Sequence, residues 1–209
     1  CYDRPVKNIY LLHGYSGCET DWFTNAPLGD LANRYNVNFF MPNGDNSFYL
    51  NQPQTGCHYQ NYVGKEFVDY TRRTFALSTD REDTFIGGLS MGGYGALRNG
   101  LKYSDTFGYI GLFSAAATMT HTMDREPHPD QLRSNVKFNN DMKALFAAKP
   151  KLYFIGIGST DFLYELNKAN RDYFDEKGYP YEYMETPGGH IWKNWRIYLT
   201  HFAQELFQK

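Results

Sequence analysis

The sequence predicts an α/β fold, a mostly parallel sheet with helices on both faces. Three observations lead there. Short apolar runs alternate with longer amphipathic ones along the chain. The short runs are continuously apolar rather than alternating, as in strands covered on both sides. The segments between them are about 10–17 residues long, enough for the crossover helix that parallel strands require.

Each element follows in order. NIYLLH (8–13) is short, apolar and stopped by Gly14, so it reads as a buried strand. PLGDLANRY (27–35) reads as a helix with Pro27 near its start. VNFFMP (37–42) is a second strand, closed by Pro42 and Asn43. Residues 60–76 carry helical spacing. TFIGGL (84–89) is a third strand, with the helix GGYGALRNGLKY (92–103) behind it. GYIGLFS (108–114) and KLYFIGIG (151–158) are the fourth and fifth strands. A helix over 162–177 ends at Gly178. YEYME (181–185) is a sixth strand, and the last helix covers 190–207.

Two stretches break the alternation. Residues 43–58 form a polar, aromatic loop, and residues 115–150 hold one short helical pattern, at 139–148. The second reads as a lid-like insertion in a single domain spanning 1–209. Both follow strands, and open α/β sheets carry their sites at the carboxyl ends of strands.

Composition excludes several classes. The chain has 209 residues, 42% of them apolar and 21% charged, so it can bury a core and is neither disordered nor fibrous. A formal net charge of -2 steers it toward neither nucleic acid nor an anionic membrane. There is no apolar run of the roughly 18 residues a membrane-spanning helix needs. Cys1, Cys18 and Cys57 are too sparse for a disulfide framework, which favours a reducing compartment. A cytoplasmic location is therefore expected, with secretion as the alternative. The opening CYDRPVKN is no secretory signal, and a chain beginning at Cys1 reads as a processed product or a fragment.

The strongest chemical signal is Gly88-Leu89-Ser90-Met91-Gly92, which follows a strand and opens a helix. By composition alone such a pentapeptide arises in about one chain in fifteen, so the setting carries the argument. In a strand-to-helix elbow the serine hydroxyl is pushed out above the sheet as a nucleophile. It needs a base within hydrogen-bond reach. In this class of site the chain order is serine, acid, histidine, which removes His13 and His58. His121 and His128 precede any suitable acid, and His201 lies deep in the last helix. His190, in TPGGH just after the last strand, is the candidate base. Asp161, directly after KLYFIGIGST, is the candidate acid that orients the imidazole. Asp124 and Asp130 stay open as alternatives, whereas Glu165, Asp172, Asp175 and Glu176 read as a solvated helix face. The backbone N–H groups of Met91 and Tyr15 are the expected oxyanion donors, with His13 locking the loop that carries Tyr15. Tyr49, His58, Tyr59 and Trp192 are candidate substrate contacts. There is no HExxH, CxxC or GxxxxGK[ST], and no GxGxxG follows a strand, so neither metal nor cofactor is expected.

The chain resembles the α/β-hydrolase fold and, within it, the putative-esterase family, on YLLHGYSGCETDW (10–22), MPNGDNSFY (41–49), TFIGGLSMGGYGALR (84–98), GSTDFLYELN (158–167) and GGHIWKNW (188–195). That family includes esterase D, feruloyl and acetylxylan esterases, and bacterial tributyrin esterases, the last the best match. The resemblance implies Ser90, Asp161 and His190 as triad, and ester hydrolysis through an acyl-enzyme. Family members usually carry two further strands before the LLHG strand, so the sheet is expected to lack the first two: either the sequence is a fragment, or the sheet has an exposed edge for a second copy to cover. The family often has an acidic residue after its histidine, where this chain has Ile191. Residues 115–150 match least and are where acyl selectivity is expected to reside.

A serine carboxylesterase acting on short acyl esters is the leading expectation, its partner a small-molecule or saccharide ester. The alternatives are a feruloyl or acetylxylan esterase using the aromatic loop 43–59, and an acyltransferase using the same three residues. A binding domain with a decayed site, or a peptidase, fits less well.

Overall fold

The structure is a computed structural model and describes residues 6–52, 55–117, 150 and 152–205. Six strands form one sheet in the order β2-β1-β5-β6-β7-β8. They are β1 (Lys7–Leu12), β2 (Val37–Phe40), β5 (Thr84–Leu89), β6 (Tyr109–Phe113), β7 (Leu152–Gly158) and β8 (Tyr181–Thr186). Every pairing in this sheet is parallel, with Ile9 beside Phe85, Ile86 beside Ile110 and Ile155 beside Tyr183. Helices α1 (Asp21–Asn25), α2 (Leu28–Tyr35), α4 (Phe67–Phe75), α5 (Met91–Lys102), α6 (Tyr164–Lys177) and α7 (Trp192–Glu205) cover it.

The continuous apolar runs have a direct cause. Successive side chains of a strand point to opposite faces, and here both faces are buried. Tyr10, Leu12, Ile86, Ile110 and Ile155 pack with Val68, Leu97, Leu101 and Phe174 on one side. Ile9, Leu11, Phe85, Phe113 and Phe154 pack with Trp22, Leu31, Tyr198 and Phe202 on the other. A polar residue at either parity in the middle of these strands would sit in a core.

The structure departs from the sequence reading in three places. The helix expected over 60–76 is interrupted. α3 (Tyr59–Asn61) passes into a π-helical turn, Tyr62–Glu66, before α4 begins. Gly64 lies in that turn, where a Cβ would sit 2.0 Å from the Tyr103 ring, so the widened turn fits around a neighbouring side chain. The loop 43–58 contains a small antiparallel hairpin, β3 (Asn51–Gln52) with β4 (Cys57–His58). α1 was not expected, because five residues are too few to show a helical period. Most of the lid-like insertion, with the helix at 139–148 and His121, Asp124, His128 and Asp130, lies outside the described residues. β2 and β8 are the outer strands of the described sheet.

Candidate active site

β5 is buried along its whole length and delivers the chain to Ser90, whose φ of 54° and ψ of −118° few non-glycine residues adopt. Three backbone hydrogen bonds hold the residue there. Its N–H donates to Phe113 O at 2.9 Å, and its carbonyl accepts from Tyr94 N at 3.2 Å and Ala116 N at 2.9 Å. The flanking glycines are needed for space. A Cβ on Gly92 would lie 2.3 Å from Leu12 O, and one on Gly88 would lie 2.5 Å from the Gly92 carbonyl carbon. The start of α5 thus packs directly on the end of β1, and Ser90 is raised where the two meet.

Asp161 and His190 come from the ends of β7 and β8, which are tied together just beyond the sheet. Ser159 N donates to Thr186 O at 2.9 Å, and Thr160 N donates to Gly188 O at 3.0 Å. Asn194 Nδ2, at the start of α7, donates to Gly189 O at 3.0 Å and fixes the loop. His190 Nδ1 then stands 3.0 Å from Asp161 Oδ1 and 2.9 Å from Oδ2. A carboxylate there places the ring proton on Nδ1 and leaves Nε2 as a free base. Burial pushes the Asp161 carboxyl up, but hydrogen bonds from His190, the Leu163 N–H and the Ser114 hydroxyl outweigh it and hold it below the usual range. The imidazole is flanked by the Phe162 ring at 4.5 Å and the Trp195 ring at 4.9 Å.

The loop after β1 faces these groups. His13 is buried, its Nδ1 donating to Gly14 O at 2.8 Å while Nε2 accepts from Gly44 N at 2.9 Å. Both nitrogens are engaged in holding the loop. Ser16 N donates to Asn46 Oδ1 at 2.7 Å and Gly17 N to Gly14 O at 3.1 Å. With those two committed, the Tyr15 N–H makes no hydrogen bond to protein among the described residues. Met91 is the first residue of α5, where a backbone N–H has no intrahelical acceptor.

A cavity of about 350 Å³ joins these parts, lined by Ser90, His190, Tyr15, Asp21, Phe162 and Trp192 among others. Ser90 Oγ makes no hydrogen bond to the His190 ring among the described residues, though both line the same cavity. Of the candidate substrate contacts, Trp192 lines the cavity and three do not. Tyr49 is a correction: it is wholly buried, and its hydroxyl donates to His13 O at 2.9 Å. Its ring fills a hollow made by Gly44 and Gly95, where Cβ atoms would lie 2.1 and 2.4 Å from it. Tyr59 donates its hydroxyl to the Asp45 carboxylate, which pushes the phenol up to about 12. His58 is exposed on the hairpin. These residues brace or decorate the loop instead of facing Ser90. Sequence reasoning passed over Asp21, Phe162, Trp195 and Ser114. Phe162 and Ser114 each had one available signal, a position immediately after a chemical residue or a strand. Among the described residues no group of three His, Cys, Asp or Glu side chains is placed to hold a metal ion.

Comparison with known proteins agrees with this architecture. A family model described as putative esterase matches residues 2–206. The chain is 38% identical to an acetyl esterase of Caldicellulosiruptor saccharolyticus, over 93% of this chain and 81% of that protein. The structure of FphF, a fluorophosphonate-binding serine hydrolase of Staphylococcus aureus, superimposes with a TM-score of 0.84 at 29% identity, covering 99% of this chain and 85% of the other. A ferulic acid esterase superimposes with a TM-score of 0.80 at 25% identity, covering 99% and 86%.

Proposed function

The chain belongs to the putative esterase family and has the α/β-hydrolase fold, and from that premise we propose that it is a serine carboxylesterase cleaving short acyl esters through an acyl-enzyme. One observation carries the reading. The Asp161–His190 pair opens onto the same small cavity as the elbow serine, Ser90.

The chemistry follows from the placement. Ser90 Oγ attacks the ester carbonyl carbon as His190 Nε2 takes the hydroxyl proton. The carbonyl oxygen becomes an oxyanion and accepts hydrogen bonds from Met91 N and Tyr15 N. As the bond to the alcohol breaks, the imidazolium returns the proton to the leaving oxygen. Water then attacks the acyl-Ser90 carbonyl, with His190 again the base, and releases the acid and free Ser90. Asp161 stays ionised throughout, holding the tautomer and stabilising the imidazolium.

The 38% identical acetyl esterase favours short acyl groups, and a cavity of about 350 Å³ has room for a small ester. A feruloyl substrate is the second reading, favoured by the aromatic wall of Phe162, Trp192 and Trp195. The test is hydrolysis of p-nitrophenyl acetate, butyrate and octanoate and of methyl ferulate by wild type and Ser90→Ala. Turnover of acetate and butyrate that disappears in Ser90→Ala supports the first reading, and a preference for ferulate replaces it with the second. A folded wild type inert on all four refutes both. Product that forms only when an alcohol acceptor is added would mark an acyltransferase.

A further inference from the structure

We propose that Asn46 is a positioning residue of this site: its side-chain oxygen holds the backbone of Ser16 and so fixes the turn that aims the Tyr15 N–H at the reacting carbonyl. The proposal rests on the functional reading above.

The argument starts from the turn. Gly17 N donates to Gly14 O at 3.1 Å, so residues 14–17 close a four-residue turn just beyond β1. Ser16 occupies its third position with a φ of 62°, while Tyr15 before it keeps the ordinary negative sign. That pattern belongs to a type II turn, whose third position favours glycine. Serine carries a Cβ and is strained there. The competing type I turn needs no positive φ and is reached by flipping the peptide between Tyr15 and Ser16. Left to its own residues, this turn leans toward the other form.

Asn46 opposes that bias. The Ser16 N–H belongs to the peptide that would flip, and it donates to Asn46 Oδ1 at 2.7 Å. The flip would break this bond and turn the Tyr15 carbonyl toward the same oxygen, acceptor against acceptor. Tyr15 and Ser16 both line the cavity that holds Ser90. The state of this peptide is therefore the state of the wall that carries the expected oxyanion donor.

The segment bearing Asn46 is itself fastened on both sides. Gly44 N donates to His13 Nε2 at 2.9 Å before it, and Tyr49 OH donates to His13 O at 2.9 Å after it. Ser47 Oγ donates to Gly44 O at 2.5 Å and accepts from Tyr49 N at 3.0 Å, which gives the segment its own frame. Asp45, Phe48 and Tyr49 adopt φ values of 43°, 51° and 56°. Such strain persists only where surrounding contacts over-determine it, and here those contacts converge on Asn46. The Phe48 ring, 6.1 Å from the Tyr15 ring, adds a second link between the two loops.

Two proteins test this, Asn46→Ala and the double variant Asn46→Ala/Ser16→Gly, each checked for folding by circular dichroism. An oxyanion donor acts on the transition state, so a loss of its aim lowers kcat for p-nitrophenyl acetate and leaves KM within about twofold. Removing one neutral hydrogen bond predicts a fall in kcat of about three- to tenfold in Asn46→Ala. Ser16→Gly in the same chain is expected to restore most of it, because glycine takes the positive φ without a brace. Neither a substrate contact nor a general loss of stability would be recovered at that position. Amide relaxation dispersion needs no substrate, and is expected to show exchange at Tyr15, Ser16 and Gly17 in Asn46→Ala that the double variant suppresses. An unchanged kcat in Asn46→Ala would overturn the proposal, as would a raised KM or a loss that Ser16→Gly does not recover. If wild type hydrolyses no ester, the functional reading fails, while the dispersion still decides whether Asn46 holds the turn.

Discussion

Asp161 presents both carboxylate oxygens to one nitrogen of His190, at 3.0 and 2.9 Å, from a position that is almost wholly buried. The symmetry matters because neither oxygen alone defines the ring's orientation; the carboxylate as a whole does. Asp161→Asn keeps the shape but brings an amide N–H₂ that can donate to Nδ1, which then becomes the acceptor and moves the proton to Nε2. We expect kcat to fall about 10³–10⁴-fold with the fold intact, by steady-state kinetics alongside circular dichroism. A loss of less than tenfold would mean the imidazole is oriented by something else.

The same pair predicts a pH dependence of stability. Burial works against the Asp161 carboxylate, yet its donors leave it held below the ordinary value of 3.8. A depressed carboxyl contributes stability that is fully present above the unfolded value and is lost as pH falls through the folded one. The gap in unfolding free energy between wild type and Asp161→Asn is therefore expected to be constant near neutrality and to narrow below about pH 4. Urea unfolding of both proteins at neutral and acidic pH measures it. A gap that widens on acidification would show the sign to be wrong.

Tyr49→Phe separates bracing from binding. The phenol is buried and donates to His13 O at 2.9 Å, under the loop that carries Tyr15. Removing it leaves that carbonyl without this donor, at an expected loss of about 1–2 kcal/mol in chemical denaturation. KM for p-nitrophenyl acetate is expected to stay the same, because the ring never reaches the cavity. A large rise in KM with unchanged stability would return Tyr49 to the substrate.

Gly92→Ala tests why the elbow needs its second glycine. The added methyl would stand 2.3 Å from Leu12 O and 2.7 Å from His13 O, both backbone atoms that cannot swing aside. The helix would have to lift off β1, taking Ser90 with it. We expect a loss of about 3 kcal/mol, measured by thermal unfolding, together with most of the activity. Full stability in this variant would mean that α5 is less tightly seated than it looks.

The sequence showed some of this architecture and hid the rest for physical reasons. The strands β1, β5 and β7 were visible because burial on both faces leaves continuous apolar runs such as Ile9–Leu12 and Phe154–Ile157. Ser90, Asp161 and His190 were singled out by their positions shortly after predicted strands, a feature local enough to read from the chain itself. Tyr49 looked like a ring for substrate since an aromatic in a polar loop carries no mark of burial. The hollow that takes it is built from Gly44 and Gly95, one nearby and one in a helix far along the chain. Ser114 was hidden for a similar reason. Its hydroxyl accepts from the Trp195 indole, 81 residues away, and only the assembled sheet brings them together.

Phe162 supplies the last prediction. Its ring is 72% exposed, yet it lies 4.5 Å from the His190 ring at the mouth of the cavity. A large apolar side chain so exposed gains little from folding, so Phe162→Ala is expected to change stability by less than about 0.5 kcal/mol. Its effect belongs to substrates that touch it. An aryl ester would lose a stacking surface worth about 0.5–1.5 kcal/mol, a rise in KM of roughly two- to tenfold. An acetyl ester of a small alcohol reaches no such surface and is expected to keep its KM. Comparing phenyl acetate with ethyl acetate in the two proteins isolates the ring's contribution on the alcohol side. Equal changes for both esters would show that Phe162 acts through His190 and not on the substrate.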